Sequence, residues 1–428
     1  MVTNRLLEAF TQFDSHKADS IFGDEFASDP LSVTGGLAPV KRVALFAESF
    51  LPKVDGVSKT AYLTLRYLQE TGREVLVFAP DIAPTQLGAS RIVPMPSLGF
   101  NIAPETRIAL PNFAINHYLD DFQPDLIHLF NPALLSLSGV LAGRRRHIPI
   151  IANYQTDIPA YALHYGLAIL ARPSRAWLRF IHNGCHLTLA PSNYTLTQLK
   201  KWGYKRLRRW GRGVNGNRFN PAKCTSEWRN RLLNGRDPNS LICIYAGRLA
   251  NEKRVDLLAE VARTPGVALT IIGDGARREE LERQFAGTQT HFTGYLYGED
   301  LARAYASADV FMFTGPSETF GQVVQEAMAS GLPAVVINQG GVVDLVEDGK
   351  TGYICAANPQ AFAAAARELR DHPELRLSMG YNARRFAEKR PWSIVMGELE
   401  THYREAVKLS QRAARVKFAG RFALPIRI

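Results

Sequence analysis

The sequence predicts an α/β protein that contains two units, each with a parallel β-sheet. Short apolar segments alternate with helical segments along the chain. The alternation pauses after residue 190 and starts again at residue 241. Continuous apolar strands favour sheets that helices cover on both faces. A chain of 428 residues is also too long for one ordinary hydrophobic core and long enough for two.

The first unit is predicted to begin with a strand at 42–47, a helix at about 58–71 and a strand at 74–80. A strand–helix–strand unit of this kind places its two strands in parallel. The later predicted strands are 125–130, 148–153, 187–190, 241–246, 267–273, 309–313 and 334–337, the last of the series. A ligand that binds between two such units is expected at the carboxyl ends of the strands.

Composition and periodicity also predict the domain boundaries. Polar and aperiodic residues at the start predict a flexible extension, and the basic end predicts a helix with a tail. The predicted parts are 1–40 (extension), 41–212 (first unit), 213–240 (interdomain segment), 241–390 (second unit) and 391–428 (a C-terminal helix returning to the first unit, with a basic tail). The terminal helix could lie on the other unit or on a membrane, or it could be a solvated helix with a frayed end.

The overall composition excludes a disordered or multi-spanning membrane protein. Hydrophobic residues make up 46% and charged residues 21% of the chain, which is close to a soluble globular average. The N-terminus shows no basic segment followed by an apolar one, so no secretory signal is predicted. The four cysteines lie far apart in the sequence. Buried thiols and a cytoplasmic location are therefore expected.

The positive charge is concentrated in one region. The net charge is +11, yet residues 141–212 carry 13 basic residues and one acidic residue, so the rest of the chain is nearly neutral. Such a region could bind anionic lipid, nucleic acid or a phosphorylated ligand.

Two loops at predicted strand ends have residues that suit an anion. Gly56 follows the first strand and precedes a helix, where backbone N–H groups can approach an anion closely. Arg248 and Lys253 flank the turn after the first strand of the second unit. A guanidinium fork and an ammonium could converge there on a diphosphate. Ordinary turn residues and solvated charges are the alternatives at both places.

Two further loops have residues that suit sugar hydroxyls. Glu318 is expected at the start of the helix 322–330, where the helix dipole favours its charged form, and Glu326 lies eight residues further on in an apolar helix. A carboxylate in such a helix is costly unless it accepts hydrogen bonds. Gln155 and Asp157 lie in the other loop, 153–161. A capping glutamate, an exposed glutamate and an internal salt bridge are the alternative explanations.

Several common motifs are missing. The sequence contains no Asp-x-Asp, no phosphate-binding loop with a Gly-Lys-Ser/Thr ending and no Gly-x-Ser-x-Gly. The histidines form no helical pair at metal-ligand spacing. No metal site and no cofactor are therefore expected.

Together these loops resemble the retaining glycosyltransferases of family four. The resemblance covers about residues 41–403, and its motifs are Gly247-Arg248-Leu249, Glu252-Lys253, Gly273-Asp274-Gly275, Phe292-Thr293-Gly294-Tyr295, Glu318-x7-Glu326 and Gly331-Leu332-Pro333. It implies the GT-B fold, in which two Rossmann-like domains face each other across a cleft. Within the family, the loops at 52–57, 154–159 and 325–327 are most similar to bacterial GDP-mannose-dependent α-mannosyltransferases. Sulfoquinovosyl- and glucosyl-diacylglycerol synthases, which use UDP-sugars, are the alternative.

The resemblance also implies a role for each loop. Arg248 and Lys253 would neutralise the diphosphate of the nucleotide-sugar donor in place of a metal, and with Glu318 they form the expected catalytic set. The other expected donor contacts are Gly56 at the diphosphate, the backbone at Tyr295 and Leu296 at the base, Thr319, Phe320 and Gly321 through N–H groups, and Glu326 at the ribose. Gln155 and Asp157 would contact the sugar or the acceptor. Many relatives have histidine at the position of Gln155, and glutamine cannot carry a proton.

The basic region predicts how a lipid acceptor is reached. Arg144, Arg145, Arg146, Arg175, Trp177 and Arg179 are expected to form a surface that contacts an anionic membrane. The predicted protein is thus a peripheral enzyme at the inner face of the cell membrane, with a lipid or glycolipid acceptor. Two other classes are weighed against it. A nucleic-acid-binding protein would use the same basic region, but no nucleic-acid motif is present. An epimerase with the same fold would release nucleotide without an acceptor.

Overall fold

The computed structural model describes residues 36–53, 55–100, 103–160 and 168–422. Residues 1–35 of the predicted extension and 423–428 of the predicted tail lie outside the described residues. The described part of the chain forms two α/β domains with one large sheet each, together with a small antiparallel hairpin.

The N-terminal domain has a sheet of eight strands in the order β10-β9-β8-β7-β1-β2-β4-β3. All of its neighbouring strands are parallel except β3 and β4, which are antiparallel. The strands are β1 (Arg42–Ala47), β2 (Glu74–Pro80), β3 (Gln86–Leu87), β4 (Ser90–Met95), β7 (Leu126–Phe130), β8 (Ile150–Asn153), β9 (Leu187–Ala190) and β10 (Leu207–Arg209), and β5 (Ser97–Phe100) with β6 (Ala103–Ala109) forms the hairpin.

Helices cover both faces of this sheet, as its continuous apolar strands require. They are α1 (Gly56–Glu70), α2 (Ile115–Phe122), α3 (Leu135–Arg146), α4 (Ala168–Gly184) and α5 (Asn193–Lys201). Alternate residues of β1 enter two different cores: Val43 and Leu45 enter one, and Ala44 and Phe46 the other. The domain therefore has a core on each side of the sheet.

The C-terminal domain has a fully parallel sheet of six strands in the order β13-β12-β11-β14-β15-β16. Its elements are α6 (Ser226–Leu233), β11 (Leu241–Ala246), α7 (Ala259–Ala262), β12 (Val267–Ile272), α8 (Arg278–Gln284), β13 (His291–Gly294), α9 (Gly298–Ala306), β14 (Val310–Phe313), α10 (Gln322–Ala329), β15 (Ala334–Ile337), β16 (Gly352–Cys355), α11 (Pro359–Asp371) and α12 (Pro373–Ala387). The prediction that the strands end with 334–337 is wrong, because β16 pairs beside β15 at the edge of the sheet.

The last helix, α13 (Trp392–Phe422), lies against the N-terminal domain. Trp392, Leu399 and Tyr403 belong to the same core as β1 and β2. Glu400 is fully buried, and its carboxylate forms two hydrogen bonds of 2.8 Å with the Arg73 guanidinium just before β2. The chain thus forms the N-terminal domain, then the C-terminal domain, and ends with α13 packed on the N-terminal domain.

Candidate functional site

Loops from both domains meet at the carboxyl ends of β1, β8, β11 and β14. Three contacts mark the meeting point. The Thr319 hydroxyl donates to the Gln155 carbonyl at 2.5 Å, the Lys59 ammonium lies 3.0 Å from a Glu326 oxygen, and the Lys253 ammonium lies 2.7 Å from a Glu318 oxygen. The first two contacts cross from one domain to the other. The cleft edge is the place where parallel sheets of this kind bind ligands.

Glu318 and Lys253 form a half-buried ion pair at the centre of this edge. Burial acts to raise the pKa of Glu318, but the charge and hydrogen bond of Lys253, the Phe320 N–H and the Arg212 charge outweigh it and lower that pKa below its usual value. The carboxylate therefore stays charged at neutral pH. Burial lowers the pKa of Arg212 to about 10, and the negative charge of Glu318 acts against this change. Two cations thus surround one carboxylate.

The loop that carries Glu318 is held on both sides. Gly341 donates its N–H to the Glu318 carbonyl at 2.6 Å. A side chain at Gly340, where φ is +80°, would lie 2.7 Å from the same carbonyl, so the close approach requires glycine. From the N-terminal domain, the Ser192 hydroxyl donates to the Thr319 carbonyl at 2.7 Å. Contacts from both domains therefore hold this loop in place.

α10 begins at Gln322, as predicted, with Gly321 as its cap residue, but Glu318 lies outside the first turn of the helix. Gly321 has φ of +101°, and this turn delays the helix by four residues after Glu318. Glu318 consequently lies in the loop, while Thr319 is buried and Phe320 is half-buried beside it.

Glu326 is buried on α10, as its apolar neighbours indicated, and its partner is a lysine. Its side chain is 7% exposed, and Lys59 of α1 is 13% exposed. The carboxylate thus has a charged partner from the N-terminal domain, which reduces the cost of burying it. Lys59 lies in the first turn of the helix that begins at Gly56.

Arg248 and Lys253 lie on the same loop after β11 but have different partners. The Arg248 guanidinium lies 2.7 Å from the buried carboxylate of Glu252, and its own side chain is 42% exposed. The Lys253 ammonium points to Glu318 instead, 5.6 Å above the Phe313 ring. Neither side chain is fully buried.

Gln155 has a buried amide with no hydrogen-bond partner among the described residues. It is 6% exposed, and neither the oxygen nor the nitrogen of its amide has a hydrogen-bond partner within the described part of the chain. Buried amides normally have partners, so the side chain is suited to a ligand. Asp157 accepts a hydrogen bond from the Ala160 N–H at 3.1 Å and is half-buried.

Gly56 and the β13 loop lie at two other places on the cleft edge. Gly56 is exposed, and a side chain added there would meet no described atom within 4 Å. Packing inside the protein therefore does not require glycine at this position. Tyr295 is exposed, and its hydroxyl donates to the Asp274 carbonyl at 2.8 Å, whereas Leu296 packs against the core. This leaves the backbone between them near the surface.

The predicted membrane residues fall into two groups. Arg144, Arg145 and Arg179 are exposed on α3 and α4. Arg146 pairs with Asp120 at 2.7 Å and is half-buried. Two others are half-buried: the Trp177 indole donates to the Ala133 carbonyl at 2.8 Å, and the Arg175 guanidinium lies 4.4 Å from the centre of the Trp202 ring.

Exposed apolar side chains accompany the exposed arginines on α3 and α4. Leu141, Ile169, Leu170 and Phe180 are all large, hydrophobic and exposed. A groove of about 410 Å³ lies between α3 and α4, lined by Leu137, Val140, Leu141, Ala176, Arg179, Phe180, Asn183 and Gly184. None of the described helices is both long and apolar enough to cross a membrane.

Sequence reasoning missed Lys59 and Arg212 as site residues. One feature of the sequence points to Lys59: it lies three residues after Gly56, at the start of a predicted helix. Arg212 lies between two glycines at the end of the first domain. Within the described ranges, no group of three or more histidine, cysteine or acidic side chains is arranged to hold a metal ion.

Two α/β domains thus meet at a cleft edge that carries carboxylates and cations. Two family profiles match the chain: "Glycosyltransferase Family 4" over residues 54–218 and "Glycosyl transferases group 1" over residues 226–386. A GDP-mannose-dependent alpha-mannosyltransferase of Mycobacterium tuberculosis is 41% identical over 379 residues, which is 86% of this chain and 97% of that protein. The sulfoquinovosyl transferase SQD2 of Arabidopsis thaliana is 34% identical over 378 residues, which is 85% of this chain and 73% of that protein.

Solved structures show the same fold at low sequence identity. Sucrose-phosphate synthase from Thermosynechococcus elongatus matches with a TM-score of 0.70 and 20% identity, covering 89% of this chain and all of its own. Anabaena Alr3699/HepE in complex with UDP-glucose matches with a TM-score of 0.65 and 19% identity, covering 84% of this chain and 98% of its own. The chain therefore belongs to the family-four glycosyltransferases with the GT-B fold, and it is a hexosyltransferase.

Proposed function

We propose that this protein transfers mannose from GDP-mannose to a lipid or glycolipid acceptor and retains the α configuration. The observation that carries the proposal is the 41% identity to a GDP-mannose-dependent alpha-mannosyltransferase across nearly the whole of that protein. The cleft supports it, because carboxylates for hydroxyl groups and cations for a diphosphate lie together. Transfer of sulfoquinovose or glucose from a UDP-sugar is the second candidate, favoured by the 34% identity to SQD2.

The proposed donor site uses these side chains. Glu326 receives the ribose hydroxyls, and Glu318 holds the transferred sugar. Arg248 and Lys253 face the diphosphate, with the N–H groups of Thr319, Phe320 and Gly321 beside them. Gly56 lets the N-terminal domain approach the same diphosphate, since no side chain intervenes. The backbone at Tyr295 and Leu296 meets the base.

In this proposal the transfer step needs no cofactor, because the nucleotide sugar is a substrate. The acceptor oxygen bonds to the anomeric carbon on the face from which the diphosphate leaves, while the carbon–oxygen bond to that phosphate breaks. The leaving phosphate takes the acceptor proton, and GDP is released. Arg248 and Lys253 stabilise the negative charge that develops on the diphosphate. Gln155 and Asp157 position the sugar and the acceptor hydroxyl by hydrogen bonding. Gln155 can have only this role, because a glutamine side chain cannot transfer a proton.

The donor is tested with purified protein and liposomes that contain diacylglycerol or glycosylated diacylglycerol. GDP-mannose, UDP-glucose and UDP-sulfoquinovose are supplied separately, each with and without EDTA. We expect a glycolipid product with GDP-mannose only, and the same rate with EDTA. Product from a UDP-sugar alone would establish the second candidate, and loss of turnover in EDTA would contradict the metal-free donor site.

The acceptor requires contact with a membrane, and we propose that α3 and α4 provide it at the inner face of the cell membrane. Arg144, Arg145 and Arg179 would attract anionic lipid, and the apolar side chains Leu141 and Phe180 would enter the interface. Each basic residue near an anionic surface contributes roughly 1 kcal/mol of binding free energy.

Replacing Arg144, Arg145 and Arg179 together by glutamate is expected to lower the affinity for anionic liposomes at least 100-fold. Three attractive charges become repulsive, so the loss exceeds about 3 kcal/mol. Liposome sedimentation at low salt measures the affinity. The control is the same change at Arg263, Arg283 and Arg367, three exposed arginines of the other domain. Equal losses in both triple variants would show that total charge matters and that this surface does not.

A further inference from the structure

An ion pair between Lys59 and Glu326 joins the two domains across the cleft. The distance between the Lys59 ammonium and the nearer Glu326 oxygen, Oε1, is 3.0 Å, and both side chains are largely buried. Lys59 belongs to α1 and Glu326 to α10, which are 267 residues apart in the sequence. Removing one partner of a buried ion pair is strongly destabilising, because the remaining buried charge has no compensation.

The helix start that carries Lys59 is held firmly. The Asp55 carboxylate accepts the N–H groups of Val57 at 2.9 Å and Ser58 at 2.8 Å, and the Ser58 hydroxyl accepts the Asp55 N–H at 2.9 Å. This reciprocal cap fixes the first turn of α1. Lys59 lies in this first turn, so the cap also fixes the backbone that carries its ammonium.

Glu326 can keep Lys59 and bind a ligand at the same time. A carboxylate offers about four acceptor positions on its two oxygens. Lys59 contacts Oε1, and a pair of neighbouring hydroxyl groups needs only one acceptor position each. The ammonium thereby fixes the direction in which the carboxylate presents its remaining positions.

We infer that Lys59 is a positioning residue for the nucleotide: it orients Glu326 towards the ribose hydroxyls and ties the N-terminal domain to the bound donor. The inference rests on the proposed function, which places the ribose at Glu326. It adds a residue of the opposite domain to the donor site. It also makes recognition of the ribose depend on contact between the two domains.

The test compares GDP and UDP with their 2′-deoxy forms by calorimetry, in the parent protein and in Lys59→Met. We expect the parent to lose about tenfold in affinity when the hydroxyl is missing, which is typical of one hydrogen bond to a charged group. Lys59→Met is expected to bind the ribonucleotide about tenfold more weakly than the parent does. Its affinity for the 2′-deoxy form is expected to be less than threefold below its affinity for the ribonucleotide. Lys59→Arg, which restores a cation, is expected to regain part of the hydroxyl effect.

Arg66→Met is the matched control, because it removes a cation from the same helix whose partner, Glu70, lies on that helix. It is expected to leave both affinities unchanged. A hydroxyl effect in Lys59→Met equal to that of the parent would overturn the inference, since a merely structural lysine would give that result. If the parent itself binds neither nucleotide, the proposed function fails, and the inference fails with it.

Discussion

Replacing Lys253 by methionine is expected to lower kcat/KM for the donor about 100- to 1000-fold. Removal of one preorganised group that stabilises developing negative charge has this cost in other enzymes. Lys253 is well placed for such a role, because its ammonium lies 2.7 Å from Glu318 and its stem passes beside Phe313 and Gly315. Methionine keeps most of the packing volume and removes the charge together with the contact to Glu318. Steady-state transfer from GDP-mannose measures the loss.

The control for this variant is Lys350→Met. Lys350 lies in the same domain, is 63% exposed and pairs with the neighbouring Glu347. We expect full activity from it. If Lys253→Met keeps its activity within threefold of the parent while remaining folded, the diphosphate is not stabilised by Lys253 and the assigned donor site is wrong.

Replacing Arg73 by methionine is expected to reduce the free energy of unfolding by about 3–5 kcal/mol, the typical cost of removing one partner of a buried ion pair. Glu400 is fully buried, and its carboxylate accepts from Arg73, from the Tyr67 hydroxyl at 2.8 Å and from the Ala38 N–H at 2.7 Å. Without Arg73 the charge of this carboxylate lacks its cation. Denaturant unfolding that reports on the N-terminal domain measures the change.

The double variant Arg73→Met with Glu400→Leu provides the comparison, because it removes both charges together. Replacing a whole buried pair with apolar residues is often close to neutral. We therefore expect it to recover much of the lost stability. A loss below 1 kcal/mol in the single variant would mean that α13 is not anchored through this pair.

The apolar central strands could be predicted from the sequence because their cause is local, whereas β3, β4, β10 and β13 were not predicted. β1, β2, β9, β11 and β15 have the predicted bounds. Each is a short apolar segment in a sheet that is covered on both faces. β16 was missed: two of its four residues, Tyr353 and Ile354, are only half-buried at the sheet edge. The hairpin of β5 and β6 was also missed, and proline residues stand beside or within both strands.

The composition of the site could be predicted only where its residues lie close together in the sequence. Arg248 and Lys253, or Glu318 and Glu326, are close in sequence and were identified together. The contacts between domains depend on the tertiary structure, so no spacing indicates them. Lys59 meets Glu326 across 267 residues, and the influence of Arg212 on Glu318 likewise crosses from one domain to the other.

The central claim is that the cleft transfers mannose from GDP-mannose with retention. The most direct measurement is the NMR spectrum of the glycolipid made from GDP-mannose by the purified protein. A one-bond carbon–proton coupling and proton shifts typical of an α-mannoside are the expected result, with one GDP released for each mannose transferred. A β-mannoside, or release of GDP without a glycosylated product, would contradict the claim.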